Sequence, residues 1–90
     1  MTIQTEAELK GLQTAGRVAA ETLEAMRQAV RPGITTAEID DIAREVIDRH
    51  GARSAPALVY SFPRSTCISV NEEVVHGIPG PRVLAPGDVV

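Results

Sequence analysis

An α+β fold is predicted for this chain, with two N-terminal helices packed on one face of a small, mainly antiparallel sheet built from residues after 56. Three observations predict it. Apolar and small residues recur at three- and four-residue spacing through the first half, the period of a helix face. Past Gly51 that period gives way to short β-like runs. Pro56, Pro63, Pro79, Pro81 and Pro86 punctuate those runs, so each strand must be short, at an edge or set off by a shaped loop.

The first helix is placed at about residues 6–30. Leu9, Leu12, Gly16, Ala19, Leu23, Met26 and Val30 form its stripe, Thr5 and Glu8 read as a capping box, and Arg31-Pro32-Gly33 stops the pattern. The heptad spacing also fits a coiled coil, but Gly16 and Ala19 in mid-helix favour close packing against a sheet. The second helix, about 36–50, starts from Thr35 as cap with Glu38 three positions on. Ile34 and Ile39 are spaced as a hydrophobic staple. Ile39, Ile42, Val46 and Ile47 are assigned to its inner face, and Asp40, Asp41, Arg44, Glu45 and Asp48 to water. Gly51 supplies a left-handed C-terminal residue.

The strand candidates are Ala57–Tyr60, Cys67–Val70, Val74-Val75, Val83-Leu84 and Asp88–Val90. The last begins after a Pro86-Gly87 turn and stops without an evident partner, which reads as a chain cut inside a strand.

Composition bounds the function classes. At 90 residues this is one small domain that buries roughly 60–65% of its unfolded surface. Its apolar share is 43% with 2% aromatics, giving a core of Ala, Val, Ile and Leu. The net charge is −3 and Lys10 is the sole lysine, so there is no basic stripe for nucleic acid. No run approaches the ~18 apolar residues of a membrane span, and the start lacks a signal peptide's pattern. The compartment expected is cytoplasmic. Cys67 is the single cysteine, and His50 and His76 are the two histidines, with no metal-ligand spacing between them.

The segment Phe62-Pro63-Arg64-Ser65-Thr66-Cys67-Ile68-Ser69-Val70-Asn71-Glu72-Glu73-Val74-Val75-His76-Gly77-Ile78-Pro79 resembles the substrate-pocket segment of type I methionine aminopeptidases. Upstream, Ala15–Ala20 and Arg31–Thr36 are similar to that family's first helix and following loop, so the resemblance covers nearly the whole chain. It implies that residues 1–90 are the N-terminal part of a catalytic domain of pita-bread fold, incomplete here. It also implies removal of N-terminal methionine from nascent proteins by metal-dependent hydrolysis.

The family uses two divalent metal ions (Co, Mn, Fe or Zn), and its first metal-ligating Asp would fall beyond Val90. Asp88 resembles the acid that opens the family's strand and is no ligand, so no metal is expected on this chain. The implied partners are peptides and nascent chains beginning with Met, together with the C-terminal remainder of the domain. Ribosome association is left open, and neither nucleic acid nor membrane is a partner.

By resemblance, His76 contacts the substrate and stabilises charge that develops during attack on the peptide carbonyl, which a fixed imidazole N–H can do. Cys67 and Phe62 match positions lining the methionine side-chain pocket, where sulfur and an aromatic edge suit a thioether. Judged without the family, His76 is a structural loop histidine, Cys67 a small buried apolar residue and Phe62 a core aromatic. Residues 57–62 lack the Gly-Tyr-X-Gly character common before the family's aromatic-Pro pair.

Two other classes remain. One is a non-catalytic helix and sheet interaction domain. The other is a cysteine hydrolase with Cys67 activated by His76, which would show fast alkylation near neutral pH. The purified chain is predicted not to release Met from a Met-Ala-Ser peptide with Co²⁺ or Mn²⁺ present. Chelator-sensitive turnover by these 90 residues would place metal ligands within them.

Overall fold

The N-terminus of the second helix organises the chain. In this computed structural model, which describes residues 2–54, 63–73 and 76–90, two helices form, α1 (Glu6–Ala29) and α2 (Thr36–Arg49). A helix start leaves four backbone N–H groups without intrahelical partners. Here every one of them is met. The Thr35 N–H donates to Glu38 Oε1 at 3.1 Å and the Glu38 N–H to Thr35 Oγ1 at 3.1 Å, the reciprocal capping box read from the sequence. The Thr36 N–H reaches Arg82 O at 3.1 Å and the Ala37 N–H reaches Gly80 O at 3.0 Å.

Those last two bonds bring residues 80–84 across the start of α2. Gly33 N–H donates to Leu84 O and Leu84 N–H to Ile34 O, both at 2.8 Å, around one antiparallel bridge between Thr35 and Val83. The chain reaches this clasp through a turn with Pro32 and Gly33 at its centre. Its Ile34 N–H bonds Arg31 O at 3.3 Å, and Gly33 takes φ +96°, a torsion suited to glycine. At the far end of α2, Gly51 takes φ +65°. Gly51 N–H to Asp48 O (3.0 Å) and Ala52 N–H to Ile47 O (3.1 Å) then close a Schellman motif.

The expected sheet is not formed among the described residues, so the α+β assignment is corrected to two helices clasped by irregular segments. The reason lies in where the backbone groups go. Residues 80–84 spend theirs on the α2 start, and Pro79, Pro81 and Pro86 have no N–H to extend a ladder. At the last run, Asn71 N–H donates to Val89 O at 2.8 Å, but the return bond from Val89 N–H goes to the Asn71 side chain at 2.9 Å. The expected runs at 57–60 and 74–75 lie outside the described residues.

α1 also corrects the sequence reading. Its end carries half a capping box. Thr5 Oγ1 accepts the Glu8 N–H at 3.1 Å, while Glu8 reaches back to the Gln4 N–H at 2.6 Å instead of Thr5. Leu9, Leu12 and Leu23 of the predicted stripe are exposed. The buried positions are Val18, Thr22 and Ala29, with Ala25 and Met26 half-buried. Periodicity shows which residues share a face, not which length of a helix finds a partner. With 24 residues α1 is about 36 Å long, against about 21 Å for the 14 of α2, so its first half extends past the other helix. The two helices are also joined by His50 Nε2 and Glu21 Oε2 at 2.7 Å.

The core lies where α1 ends and α2 begins, as a cluster of Ala29, Ile34, Ile39, Ile68, Val70 and Leu84 with Met26 and Ile42 packed against it. It unites both staple residues with one side chain from the clasp and two from the 67–70 segment. Replacing Thr35 by Ala is expected to cost about 1 kcal/mol of stability by urea denaturation. The Glu38 carboxyl is held below its ordinary value of 4.5, first by the Thr35 backbone N–H and then by the Thr35 hydroxyl. A depressed folded value means that this contribution is complete above 4.5 and is lost as the pH falls through the folded value. The melting temperature should thus drop on acidification below that point, and less steeply in Glu38→Gln.

Candidate functional site

Two of the predicted site residues, Cys67 and His76, meet on two backbone segments that run side by side. Ile68 N–H donates to Gly77 O at 2.9 Å, and Gly77 N–H donates to Ser69 Oγ at 3.2 Å. The approach is close enough to require glycine. A Cβ on Gly77 would overlap the Ile68 carbonyl oxygen and stand 2.9 Å from Ile68 C and 3.0 Å from Ser69 Cα. His76, next in line, has φ +55°, a left-handed conformation that costs energy in a side-chain-bearing residue and turns the imidazole toward the opposite segment. The outcome is a contact of 3.6 Å between His76 Nδ1 and Cys67 Sγ. Both residues are exposed, so the expectation that Cys67 is buried is corrected. Phe62 lies outside the described residues.

A third residue belongs to this site and was assigned to solvent in the sequence. Asp40 is buried at 1% exposure. Its Oδ1 accepts the Thr66 N–H at 2.8 Å and the Thr66 hydroxyl at 2.5 Å, and its Oδ2 faces the Ser65 N–H at 3.4 Å. The buried positions of α2 are Thr36, Ile39, Asp40, Ala43 and Val46, a helical stripe with Asp40 in its middle. The signal was present in the spacing. A carboxylate on the stripe i, i+3, i+4, i+7 needs donors from another element. The sequence reading placed Ile39 and Val46 inside correctly, but filled the rest of the face with Ile42 and Ile47, which are half-buried, instead of Asp40 and Ala43.

The surrounding turns are braced by charge. Glu73 Oε1 accepts the Val70 N–H at 3.0 Å, and Arg82 pairs with Glu72 at 3.2 Å and Glu73 at 3.4 Å. The Glu72 carboxyl is held low by its own backbone N–H and then by Arg82. Asp88 is held low by the Ala85 N–H and then by the Asn71 side chain, which ties the 85–88 turn to the 71–73 turn. Beside Cys67 run two open apolar grooves, of about 470 and 410 Å³, which share Leu23, Met26 and Cys67 in their walls. Among the described residues no three His, Cys, Asp or Glu side chains are grouped to hold a metal ion.

The sequence profile of metallopeptidase family M24 matches residues 10–90. The chain belongs to metallopeptidase family M24. Across all 90 residues this M24 chain is 49% identical to the methionine aminopeptidase of Staphylococcus epidermidis. It is 46% identical over 91 aligned residues to methionine aminopeptidase 2 of Bacillus subtilis. It spans 36% of the length of each. The crystal structure of methionine aminopeptidase from Rickettsia prowazekii superposes with a TM-score of 0.88 at 39% identity, and that from Thermotoga maritima with 0.91 at 31%. Each alignment covers 98% of this chain and 36% of the solved one.

These findings bear out the resemblance to methionine aminopeptidases read from residues 62–79, and the described residues superpose on part of a pita-bread enzyme. They also favour the metallopeptidase reading over a cysteine hydrolase, although Cys67 and His76 do stand together. No helix among the described residues is long and apolar enough to cross a membrane.

Gly77→Ala is expected to destabilise the chain by about 1–3 kcal/mol in chemical denaturation, because the clash is with backbone that cannot step aside. Gly16, with open space around its Cβ position in α1, is the contrast: Gly16→Ala should stabilise by about 0.5–1 kcal/mol.

Proposed function

We propose that this chain forms the N-terminal, substrate-pocket part of a methionine aminopeptidase, an enzyme that hydrolyses the first peptide bond of proteins and peptides beginning with Met. The observation that carries this reading is the 49% identity to such an enzyme without loss of any part of the chain. The described residues do not fit a metal site, so none of them is assigned a ligand role. The family's divalent metal chemistry belongs to the remainder of the catalytic unit, the chain's first partner. Substrates are peptide and nascent-protein N-termini starting with Met, in the cytoplasm, with ribosome association as a further proposal.

Within this reading His76 is the catalytic residue on this chain. Its Nδ1 meets the Cys67 thiol at 3.6 Å. A thiol donating to Nδ1 leaves the ring proton on Nε2, where it can donate to the oxygen of the scissile carbonyl as that oxygen gains charge. The left-handed backbone at His76 and the tight Gly77 contact hold the ring in place before the substrate arrives. Cys67 lines the pocket for the methionine side chain, and the polarisable sulfur beside the apolar groove suits a thioether. Phe62 is assigned to the same pocket on the resemblance alone.

The test is to graft these residues in place of the matching segment of the Staphylococcus epidermidis enzyme and measure Met release from Met-Ala-Ser. The graft should be active. His76→Ala should lower kcat and kcat/KM together by roughly 10²–10³ while metal content and melting temperature hold. His50→Ala, which removes an exposed pair with Glu21, should leave the kinetics alone and cost at most about 1 kcal/mol of stability. Full kcat in His76→Ala with reduced metal content or melting temperature would make His76 structural.

A further inference from the structure

The turn that carries Cys67 has little hydrophobic anchorage of its own: Pro63 is exposed, and Arg64, Ser65 and Thr66 are only half-buried. Its polar anchors are the half-buried Ser54, whose hydroxyl donates to Ser65 O at 2.5 Å, and the fully buried Asp40. A carboxylate removed from water needs strong donors, and none of the ion pairs among the described residues supplies Asp40 with a cation. The Thr66 N–H and hydroxyl and the Ser65 N–H do so instead. This ties the turn to a rigid helix one residue before the thiol. Arg64 adds a looser brace through Asp41 at 3.5 Å and Pro79 O at 3.3 Å. Cys67 then stands exposed yet within 3.6 Å of His76, a placement that no burial of its own side chain enforces.

We propose that Asp40 is a positioning residue for substrate selection: by holding Ser65 and Thr66 it sets where the Cys67 thiol stands against His76, and so sharpens preference for a methionine side chain. The inference rests on the assignment of Cys67 to the methionine pocket. Asp40 itself touches no substrate. It acts through two backbone N–H groups and one hydroxyl.

Two variants test it. Asp40→Asn keeps the shape but replaces one acceptor oxygen with an NH₂ group, leaving either the Ser65 or the Thr66 donors unmatched. Thr66→Val removes only the hydroxyl and keeps the backbone bond, and it serves if Asp40→Asn fails to fold. Cys67 is the single cysteine of the chain, so iodoacetamide alkylation of the 90-residue protein reports its placement directly. Both variants should change the alkylation rate by at least about threefold relative to the parent under conditions where the circular dichroism is unchanged. In the grafted enzyme, the kcat/KM ratio of Met-Ala-Ser over Leu-Ala-Ser should fall about tenfold in Asp40→Asn, chiefly through KM for the Met peptide.

A lowered melting temperature with parental alkylation rate and parental Met/Leu ratio would show that Asp40 merely stabilises the fold, and the proposal is then wrong. A changed alkylation rate with an unchanged ratio also overturns it, and Cys67→Ala in the grafted enzyme locates the fault. If that variant keeps the ratio too, the pocket assignment of Cys67 has failed. If it alters the ratio, only the link from Asp40 is broken.

Discussion

Asp40 at 1% exposure is the joint between the helical half of the chain and the half that carries the site. A carboxyl group on the inner face of a helix is costly unless donors reach it, and the donors here belong to a segment 25 and 26 residues further along the chain. The requirement acts in both directions. The turn at 63–66 cannot drift without stranding a buried polar group, and α2 cannot rotate without taking the turn with it. Cys67, Ile68 and Val70 follow directly, the latter two entering the core beside Ile39 and Leu84. The contact between Cys67 and His76 is therefore a consequence of polar satisfaction in the interior more than of any attraction between the two side chains.

A second constraint is the supply of backbone partners. The start of α2 takes up carbonyls at Gly80 and Arg82, and the Pro-Gly turn before it takes up both groups of Leu84. A segment used in this way has nothing left for a neighbouring strand, which is why apolar β-like runs condense into a clasp and not a ladder. The arrangement keeps the core small, in line with a chain whose largest aromatic count is one Tyr and one Phe. Family members extend well beyond the 36% of length matched here, and the exposed Leu9, Leu12 and Leu23 of α1 lie outside the core just described.

Local signals were legible wherever a short stretch of sequence contains its own reason. Thr35 with Glu38, Pro32-Gly33, and Gly51 after a basic last turn each complete their hydrogen bonds within a few residues. These predicted the limits of both helices to within one residue. The segment 62–79 was legible as family likeness because its residue order is long and specific. The half-made box at Thr5 shows the limit of such signals, since Glu8 had a competing donor in Gln4.

By itself the sequence determined two capped helices, the turn between them, and the family to which residues 10–90 belong. These rest on spacing and on bonds between near neighbours in the chain. Only the tertiary structure decided that Asp40 faces inward, that Thr22 is buried while Leu23 is not, and that residues 80–84 cap a helix instead of joining a sheet. The physical reason is common to all three. A polar group is satisfied by whichever partner folding brings near, and partners 25 to 46 residues away, as with Asp40 and Ser65 or Thr36 and Arg82, leave no mark on local periodicity.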